Sequence, residues 1–536
     1  MRKTIRTPDY PIADTPDGKL HGFKLDEVYH FHGIRYAKAQ RFEMPEPVKP
    51  WEGVKDAKAY GYICPLLPEK PHEEGDESGA PENSFEMPHV YWPMSENCQY
   101  LNVWTKHLNE DAKKPVLVWL HGGGFCAGSS IELPSYDGHN LADYGDVVVV
   151  NLNHRLNVIG FLDLSSFGEE YKYTGCLGMA DIIEALRWVK RNIRAFGGDP
   201  DNVTIAGQSG GGGKVETLLQ MLKADGLYAK AVIESGSMGE TEVIWETEDS
   251  GRAQELGRQK LEEAKKGWQE LGRRTVRELG LTKETLGQIR TVPYEKLAKA
   301  AQRAAVSLGR DTGMMMLSPS PVPGYYLGSY AFHGFREETE NIPLLIGTTL
   351  GEFTFMHYLG NKDAYTEQQK KEILQKELGE NTEEILKEFT RIYPDKDILY
   401  AMSVDTKFRR PAAAMARARS LASKAPVYVY QMNLIVPYMG GLALWHCGEI
   451  PFVFRNVEEE RMLCTSDRVE KLQDETSKAW LNFMKTGSPS CEDLPWEPYT
   501  KEDRNIMFLD ETCRMVKESD QRLLSLLSQI RPPFLA

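Results

Sequence analysis

One short stretch restricts the fold of this 536-residue chain more than any other: Gly207-Gln208-Ser209-Gly210-Gly211. It follows Val203-Thr204-Ile205-Ala206, which reads as a buried strand. It leads into Gly212 to Leu222, where Val215, Leu218, Leu219 and Leu222 recur at helical spacing. Strand, tight turn and helix with a Ser at the apex is the context that gives a G-x-S-x-G pattern meaning. The turn crowds the backbone, hence glycines two residues before and two after Ser209. It lifts the hydroxyl out of the sheet and aims a helix N-terminus at it, which favours a developing oxyanion. The competing interpretation is a Gly-rich loop that happens to contain Ser. Phosphate-loop patterns are excluded. A Walker pattern ending at Gly213-Lys214 needs Gly where Gln208 stands and Ser or Thr where Val215 stands, and no G-x-G-x-x-G frame fits.

The surrounding chain alternates strands and helices. Tyr100 to Trp104, Pro115 to Leu120, Val147 to Asn153, Ala231 to Ile233, Leu344 to Ile346 and Val427 to Tyr430 are expected strands. Several are continuously apolar, as strands buried on both faces are. Ala180 to Phe196 is an expected amphipathic helix with Ile183, Leu186, Val189 and Ile193 on one face, stopping at Gly197-Gly198-Asp199-Pro200. Residues 249–308 and Lys362 to Ile392 read as helical and charged. The tail helix, Ser519 to Ile530, carries Leu523, Leu527 and Ile530 on one face and is expected to pack on its own domain, with pairing to a second copy open. This alternation implies a doubly wound, mostly parallel sheet. Pro65 to Pro93, rich in Glu, Pro, Gly and Ser, reads as an exposed acidic loop.

A Ser hydroxyl is a poor nucleophile near neutral pH and needs a base, itself oriented by a third group. On strand–turn–helix sheets of this kind the chain order is Ser, acid, His. Glu352 stands in a loop beyond the strand Leu344 to Ile346, at the end where α/β sheets place their sites. His446 stands in a loop after the strand Val427 to Tyr430. His121-Gly122-Gly123-Gly124 directly follows the strand Pro115 to Leu120, and such a run lets backbone N–H groups approach a substrate oxygen. The expected donors are Gly123, Gly124 and Gly210, each worth on the order of 3 kcal/mol of barrier.

The totals narrow the classes further. The net charge of −14, without a basic stripe, argues against a nucleic-acid partner. No apolar run is long enough to span a membrane. The first residues carry positive charge with no apolar run behind it, so no signal peptide and a cytoplasmic location are expected, export staying open if a leader has been removed. The eight Cys show no metal-site spacing. No metal and no cofactor is expected.

Taken together, the chain resembles the type-B carboxylesterase/cholinesterase family over nearly its whole length. Ser95-Glu96-Asn97-Cys98-Gln99-Tyr100-Leu101-Asn102-Val103-Trp104 is similar to a family signature, and His121 to Phe125 resembles the family's oxyanion loop. Phe196 to Pro200, followed by Val203 to Ser209, resembles its approach to the nucleophile. Glu352 and His446 fall where its triad acid and His fall. Trp480, Phe483, Thr486-Gly487 and Pro495-Trp496 resemble its C-terminal pattern. The resemblance implies the α/β-hydrolase fold, one domain over 1–536 with helical cap or regulatory insertions. Its approximate subregions are 1–310 (catalytic part), 311–440 (acid loop and helical insertion) and 441–536 (His loop and C-terminal helices).

It also implies acyl transfer from small to medium neutral carboxylic esters through an acyl-enzyme on Ser209, with the protein a monomer or homodimer. Arg41 with Glu96, and Arg155 with Asp181, match pairs that are ion-paired in the family, and Ser235 is placed to hydrogen-bond Glu352. Pocket walls by resemblance are Met315 and Leu317 on the acyl side, then Phe355, Met356 and Trp445, although these residues could equally be core. Cys64 and Cys98 occupy the family's first disulfide positions, with a bond expected only on export. Three departures stand out. Gln208 replaces the usual Glu beside the nucleophile, which turns the expectation from choline esters to neutral ones. Gly210 replaces the usual Ala, so a more flexible donor loop is expected. Cys447 stands where Gly is common. Alternatives are a specialist hydrolase of one natural ester, carbamate or aromatic ester, and a non-catalytic interaction module on the same fold.

Overall fold

The alternation of strands and helices builds a single large sheet. The computed structural model of the chain describes residues 10–67, 90–237, 250–309, 317–354, 360–463, 466–517 and 520–530. Its central sheet has eleven strands. In chain order they are β1 (Phe23–Leu25), β2 (Val28–Arg35), β3 (Tyr100–Thr105), β4 (Lys114–Leu120), β5 (Val148–Leu152) and β6 (Gly198–Gln208). Then follow β7 (Lys230–Glu234), β8 (Leu344–Thr349), β9 (Val427–Met432), β10 (Asn505–Leu509) and β11 (Arg514–Lys517). Their spatial order is β1-β2-β3-β5-β4-β6-β7-β8-β9-β10-β11. Strands β5 to β10 run parallel, and the pairs at either edge are antiparallel. The chain winds outward from β4 to β5, then crosses back to β6 on the other side of β4. That reversal lies between β4 and β6, and α/β sheets hold ligands outside the carboxyl ends of strands at such a point.

The apolar runs divide by the two-residue period of a strand. Val116, Val118, Leu120, Val148, Val150, Val203 and Ile205 enter one core. Leu117, Trp119, Val149 and Ala206 enter the other. Helices cover both faces, which is why these strands carry no polar side. Helix α1 (Leu177–Asn192) packs Ile183, Leu186 and Val189 on the first core, and α2 (Gly210–Leu218) follows the turn after β6. The charged segment forms α3 (Ser250–Glu278) and α4 (Tyr294–Val306). The single helix expected over Lys362 to Ile392 is instead broken into α5 (Glu367–Leu378) and α6 (Thr382–Ile392), because Gly379 turns the chain with φ +66°. Helix α7 (Asp467–Thr486) covers the second core with Leu472, Trp480 and Phe483, and stops at left-handed Gly487.

In the tail, α8 (Gln521–Ile530) buries Leu523 and Leu527 in the protein's own core. Ile530, expected on that face, is exposed, and Leu524 and Leu526 are buried instead. Both expected ion pairs form. Arg155 and Asp181, both buried, meet at 2.7 Å, and Arg41 Nε donates to Glu96 at 2.8 Å. Most of the acidic loop lies outside the described residues. No described helix is long and apolar enough to cross a membrane.

Candidate active site

The end of β6 brings the expected nucleophile to the crossover point. Ser209 caps α2 with φ +56° and ψ −124°, a conformation costing roughly 1–3 kcal/mol that its surroundings must hold. Two backbone bonds hold it: Ser209 N–H to Glu234 O on β7 at 2.8 Å, and Gly213 N–H to Ser209 O at 3.0 Å. The flanking glycines are required by contact. A Cβ on Gly207 would lie 2.5 Å from the Gly211 carbonyl carbon, and one on Gly211 would lie 1.9 Å from Leu120 O. Helix α2 therefore rests directly on the end of β4.

The glycine run after β4 lies beside this turn. Gly123 and Gly124 have φ +80° and +59°. In a trans peptide the C=O and N–H point in opposite directions, so an anchored carbonyl aims the next residue's N–H the other way. Gly123 O is anchored by Ala127 N–H at 2.9 Å, and Ser209 O by Gly213 N–H. The N–H groups of Gly124 and Gly210 are thus aimed by bonds on the far side of their own peptides. The space above Gly210 is filled: a Cβ there would lie 2.3 Å from both Gly124 N and Gly124 O. The flexible donor loop expected from Gly210 is instead a close backbone contact, because the missing methyl admits the neighbouring chain.

The acid and the imidazole meet across the ends of β8 and β9. His446 Nδ1 bonds Glu352 Oε2 at 2.5 Å, and His446 N–H donates to Glu352 O at 3.1 Å. Glu352 is fully buried, and its Oε1 accepts from Ser235 Oγ at 2.6 Å and from Thr349 N–H at 2.7 Å. The imidazole forms a three-ring cluster with Phe353 and Phe408, whose centroids lie 4.4 and 4.6 Å away. The Gln208 Nε2 amide stands 3.3 Å from Nδ1 and 3.4 Å from Nε2, over the ring rather than along either lone pair. Cys447 Sγ fixes that amide by donating to Gln208 Oε1 at 3.0 Å. Among the described residues no hydrogen bond joins Ser209 Oγ to His446. Ser209, Ser235, Glu352 and Cys447 all have positive φ without being glycine; such outliers gather at functional sites.

Behind the acid lies more buried carboxyl. Ser235 Oγ also contacts Glu449 Oε1 at 3.1 Å, so one hydroxyl bridges two glutamates. Burial, then Glu352 and Glu234, push Glu449 well up. Burial pushes Glu234 up to about 8, against a hydrogen bond from Trp480 Nε1. Burial and then Glu352 push Asp405 up to about 6. A cluster of this kind shares its protons, because buried like charges cannot all ionise. Among the described residues no group of three or more His, Cys, Asp or Glu is arranged to hold a metal ion.

The chain as a whole matches one family. A model of the carboxylesterase family covers residues 9–524. The chain belongs to the carboxylesterase family. It is 34% identical to the para-nitrobenzyl esterase of Bacillus subtilis (strain 168), over 96% of this chain and 98% of that protein. It is 29% identical to the phenmedipham hydrolase of Pseudarthrobacter oxydans, over 95% and 97% of the two chains. Among solved structures, an esterase from anaerobic Clostridium hathewayi that can hydrolyze aliphatic aromatic polyesters superposes with a TM-score of 0.85 at 38% identity, covering 98% of this chain and 100% of that one. A PNB esterase superposes at 0.72 with 32% identity, covering 96% and 100%. The fold is therefore that of the α/β-hydrolase carboxylesterases, and the protein is an enzyme that hydrolyses carboxylic esters.

In the carboxylesterase Glu352 contacts both His446 and Ser235, and Gln208 contacts His446. Leu317 is buried, and its carbonyl accepts a 3.7 Å contact from Cys126 Sγ. Trp445 is buried in the second core, and its backbone bridges to Glu352. Met315, Phe355 and Met356 lie outside the described residues. Cys64 and Cys98 are both buried and free. Sequence reasoning missed Glu449, Phe353 and Phe408 around His446, and Lys214 beneath the glycine loop; it marked Cys447 only as a departure, without its bond to Gln208. For Lys214 a signal was present: a Lys directly after a run of four glycines, on a helix otherwise spaced for burial.

Proposed function

We propose that the enzyme is a serine carboxylesterase working through an acyl-enzyme on Ser209. The observation that carries this reading is the Glu352–His446 bond at 2.5 Å, within contact of the Ser-bearing turn through Gln208. Neutral His446 accepts the Ser209 proton as Oγ attacks the ester carbonyl. Glu352 holds the ring in the tautomer that leaves Nε2 free and stabilises the imidazolium. The N–H groups of Gly123, Gly124 and Gly210 receive the tetrahedral oxyanion. His446 then returns the proton to the leaving alcohol, and water repeats the sequence on the acyl-enzyme, releasing the acid. Ser209 Oγ and His446 Nε2 must close to hydrogen-bond distance for the first step, and sites without substrate are commonly looser than occupied ones.

The side chains packed on the imidazole face, Gln208, Phe353 and Phe408, are uncharged. Gln208 supplies an amide where a carboxylate would attract cations. Glu352, Glu449 and Glu234 are fully buried, and Phe353 is 45% exposed beside the imidazole. This supports neutral esters of small to medium size. The same exposed phenyl supports a second reading, preference for aromatic esters, in line with the polyester-hydrolysing relative. Turnover of p-nitrophenyl acetate and covalent labelling of Ser209 by an organophosphate test the mechanism. A Ser209 left unlabelled by a reagent that inactivates the enzyme sinks it. An acyl-chain series of p-nitrophenyl esters beside p-nitrophenyl benzoate separates the two substrate readings.

A further inference from the structure

The acyl-transfer scheme leaves one buried nucleophilic side chain of α2 unused. Lys214 is fully buried, with no carboxylate at ion-pair distance among the described residues. Its Nζ donates to His121 O at 2.8 Å and to Gly124 O at 2.9 Å, and lies 3.5 Å from Gly122 O. It stands 5.8 Å from the Phe125 ring centroid. One side chain thus reaches three of the four carbonyls from His121 to Gly124. Burial holds its amine down at about 7. Burying an amine without an acid partner is costly unless its hydrogen bonds offset the lost hydration.

The direction of these bonds matters. A carbonyl drawn toward Lys214 turns the N–H of the following residue away from it; Gly122 O, paired with His121 Nδ1 at 2.9 Å and 3.5 Å from Nζ, thus turns the Gly123 N–H toward the opposite side. Gly210 lies one helical turn before Lys214, on the same face of α2. That is where the Gly124 backbone occupies the space of a side chain. Gly124 is therefore admitted by Gly210 and gripped by Lys214.

We propose that Lys214 and Gly210 together form the seat of the oxyanion loop. Lys214 Nζ draws the His121 and Gly124 carbonyls onto α2, the bare Gly210 lets Gly124 descend, and the pair fixes the Gly123 and Gly124 N–H groups relative to Ser209. Lys214 is a positioning residue; it touches no reacting atom. The inference rests on the reading of Ser209 as nucleophile. Since the oxyanion exists only in the transition state, a displaced loop lowers kcat more than it raises KM.

The test uses Lys214→Met, which matches the side chain's length without its donors, Gly210→Ala, and the double variant. Each is checked by circular dichroism and by organophosphate titration of Ser209. The expected result is a loss in kcat on p-nitrophenyl acetate of about 10- to 100-fold with KM within about twofold. The affinity of a trifluoromethyl ketone, whose adduct carries the oxyanion, falls by a similar factor. The double variant loses less than the product of the singles, because both act on one loop. A folded, fully labelled Lys214→Met enzyme with parental kcat and ketone affinity overturns the proposal, as does a kcat loss without a ketone loss. If Lys214→Met does not fold, Gly210→Ala carries the same test with the same outcomes. A parent enzyme that hydrolyses esters with Ser209 unlabelled refutes the nucleophile reading, and this inference with it.

Discussion

The two halves of the site meet at Ser209 but are made differently. The half built on β4, β6 and α2 uses backbone: glycines at van der Waals contact, N–H groups aimed by bonds on their own carbonyls, and one buried amine, Lys214. The half built on β7, β8 and β9 uses side chains: Glu352 on the imidazole of His446, with Glu449, Glu234 and Asp405 also buried in this half. Each half matches the charge it would meet. Fixed backbone dipoles face the side where an oxyanion would form, and carboxylates back the side where an imidazolium would form. Backbone groups aimed in advance need no reorganisation during the reaction. The carboxylates carry a cost the backbone does not, because buried like charges raise one another's pKa and destabilise the folded state at alkaline pH.

Removing the group common to both halves has the largest expected effect. Ser209→Ala should lower kcat by roughly 10⁴- to 10⁶-fold with an unchanged circular dichroism spectrum; substantial residual turnover would place the chemistry elsewhere. Next comes Glu352→Gln, which keeps the shape and removes the charge behind His446. Steady-state kinetics should show kcat down by about 10³- to 10⁴-fold. Thermal denaturation should show the opposite sign, a higher Tm near pH 8, since Asp405 and Glu449 lose a neighbour that raises them. Lower activity with lower stability would break the claim that the acid half trades stability for function.

Ser235→Ala removes the hydroxyl bridging Glu352 and Glu449, and kcat should fall about tenfold, in keeping with a hydrogen bond to a charged group worth about 1.5–3 kcal/mol. The smallest effect on activity is expected for Glu234→Gln. The folded state raises this carboxyl to about 8 from an unfolded value of 4.5. The folded state therefore holds the extra proton between those values, and stability is lost as pH rises from 4.5 to 8. The glutamine variant should match the parent's Tm near pH 4 and exceed it near pH 8, with kcat little changed. Parallel Tm curves for parent and variant would mean Glu234 does not titrate in the folded protein.

Much of this site was legible along the chain, for a physical reason that applies to some residues and not others. The turn at Ser209 announces itself because its glycines, strand and helix are sequence neighbours. Glu352 and His446 follow from chain order and strand ends, and the glycine run at 121–124 from its place after an apolar strand. The Ser235–Glu449 bridge spans 214 positions and involves residue types that are ordinary on a surface, so nothing local marks it. The three-ring cluster at His446 is equally nonlocal. Gly210 was legible as a glycine but misread as slack, because sequence shows a missing side chain without showing what fills its place.

By itself, then, the sequence determined the alternation of strands and helices, the turn that carries Ser209, and the chain order of Ser209, Glu352 and His446. Period and spacing act over a few residues, and a sequence displays them directly. The tertiary structure alone decided which carboxylates share protons behind His446, that Gln208 lies over the imidazole and is held by Cys447, and that Lys214 reaches three carbonyls of the loop after β4. Those contacts exist only once β4 and β6 lie side by side and α2 rests on both. Their strength comes from the exclusion of water, which no stretch of chain accomplishes alone.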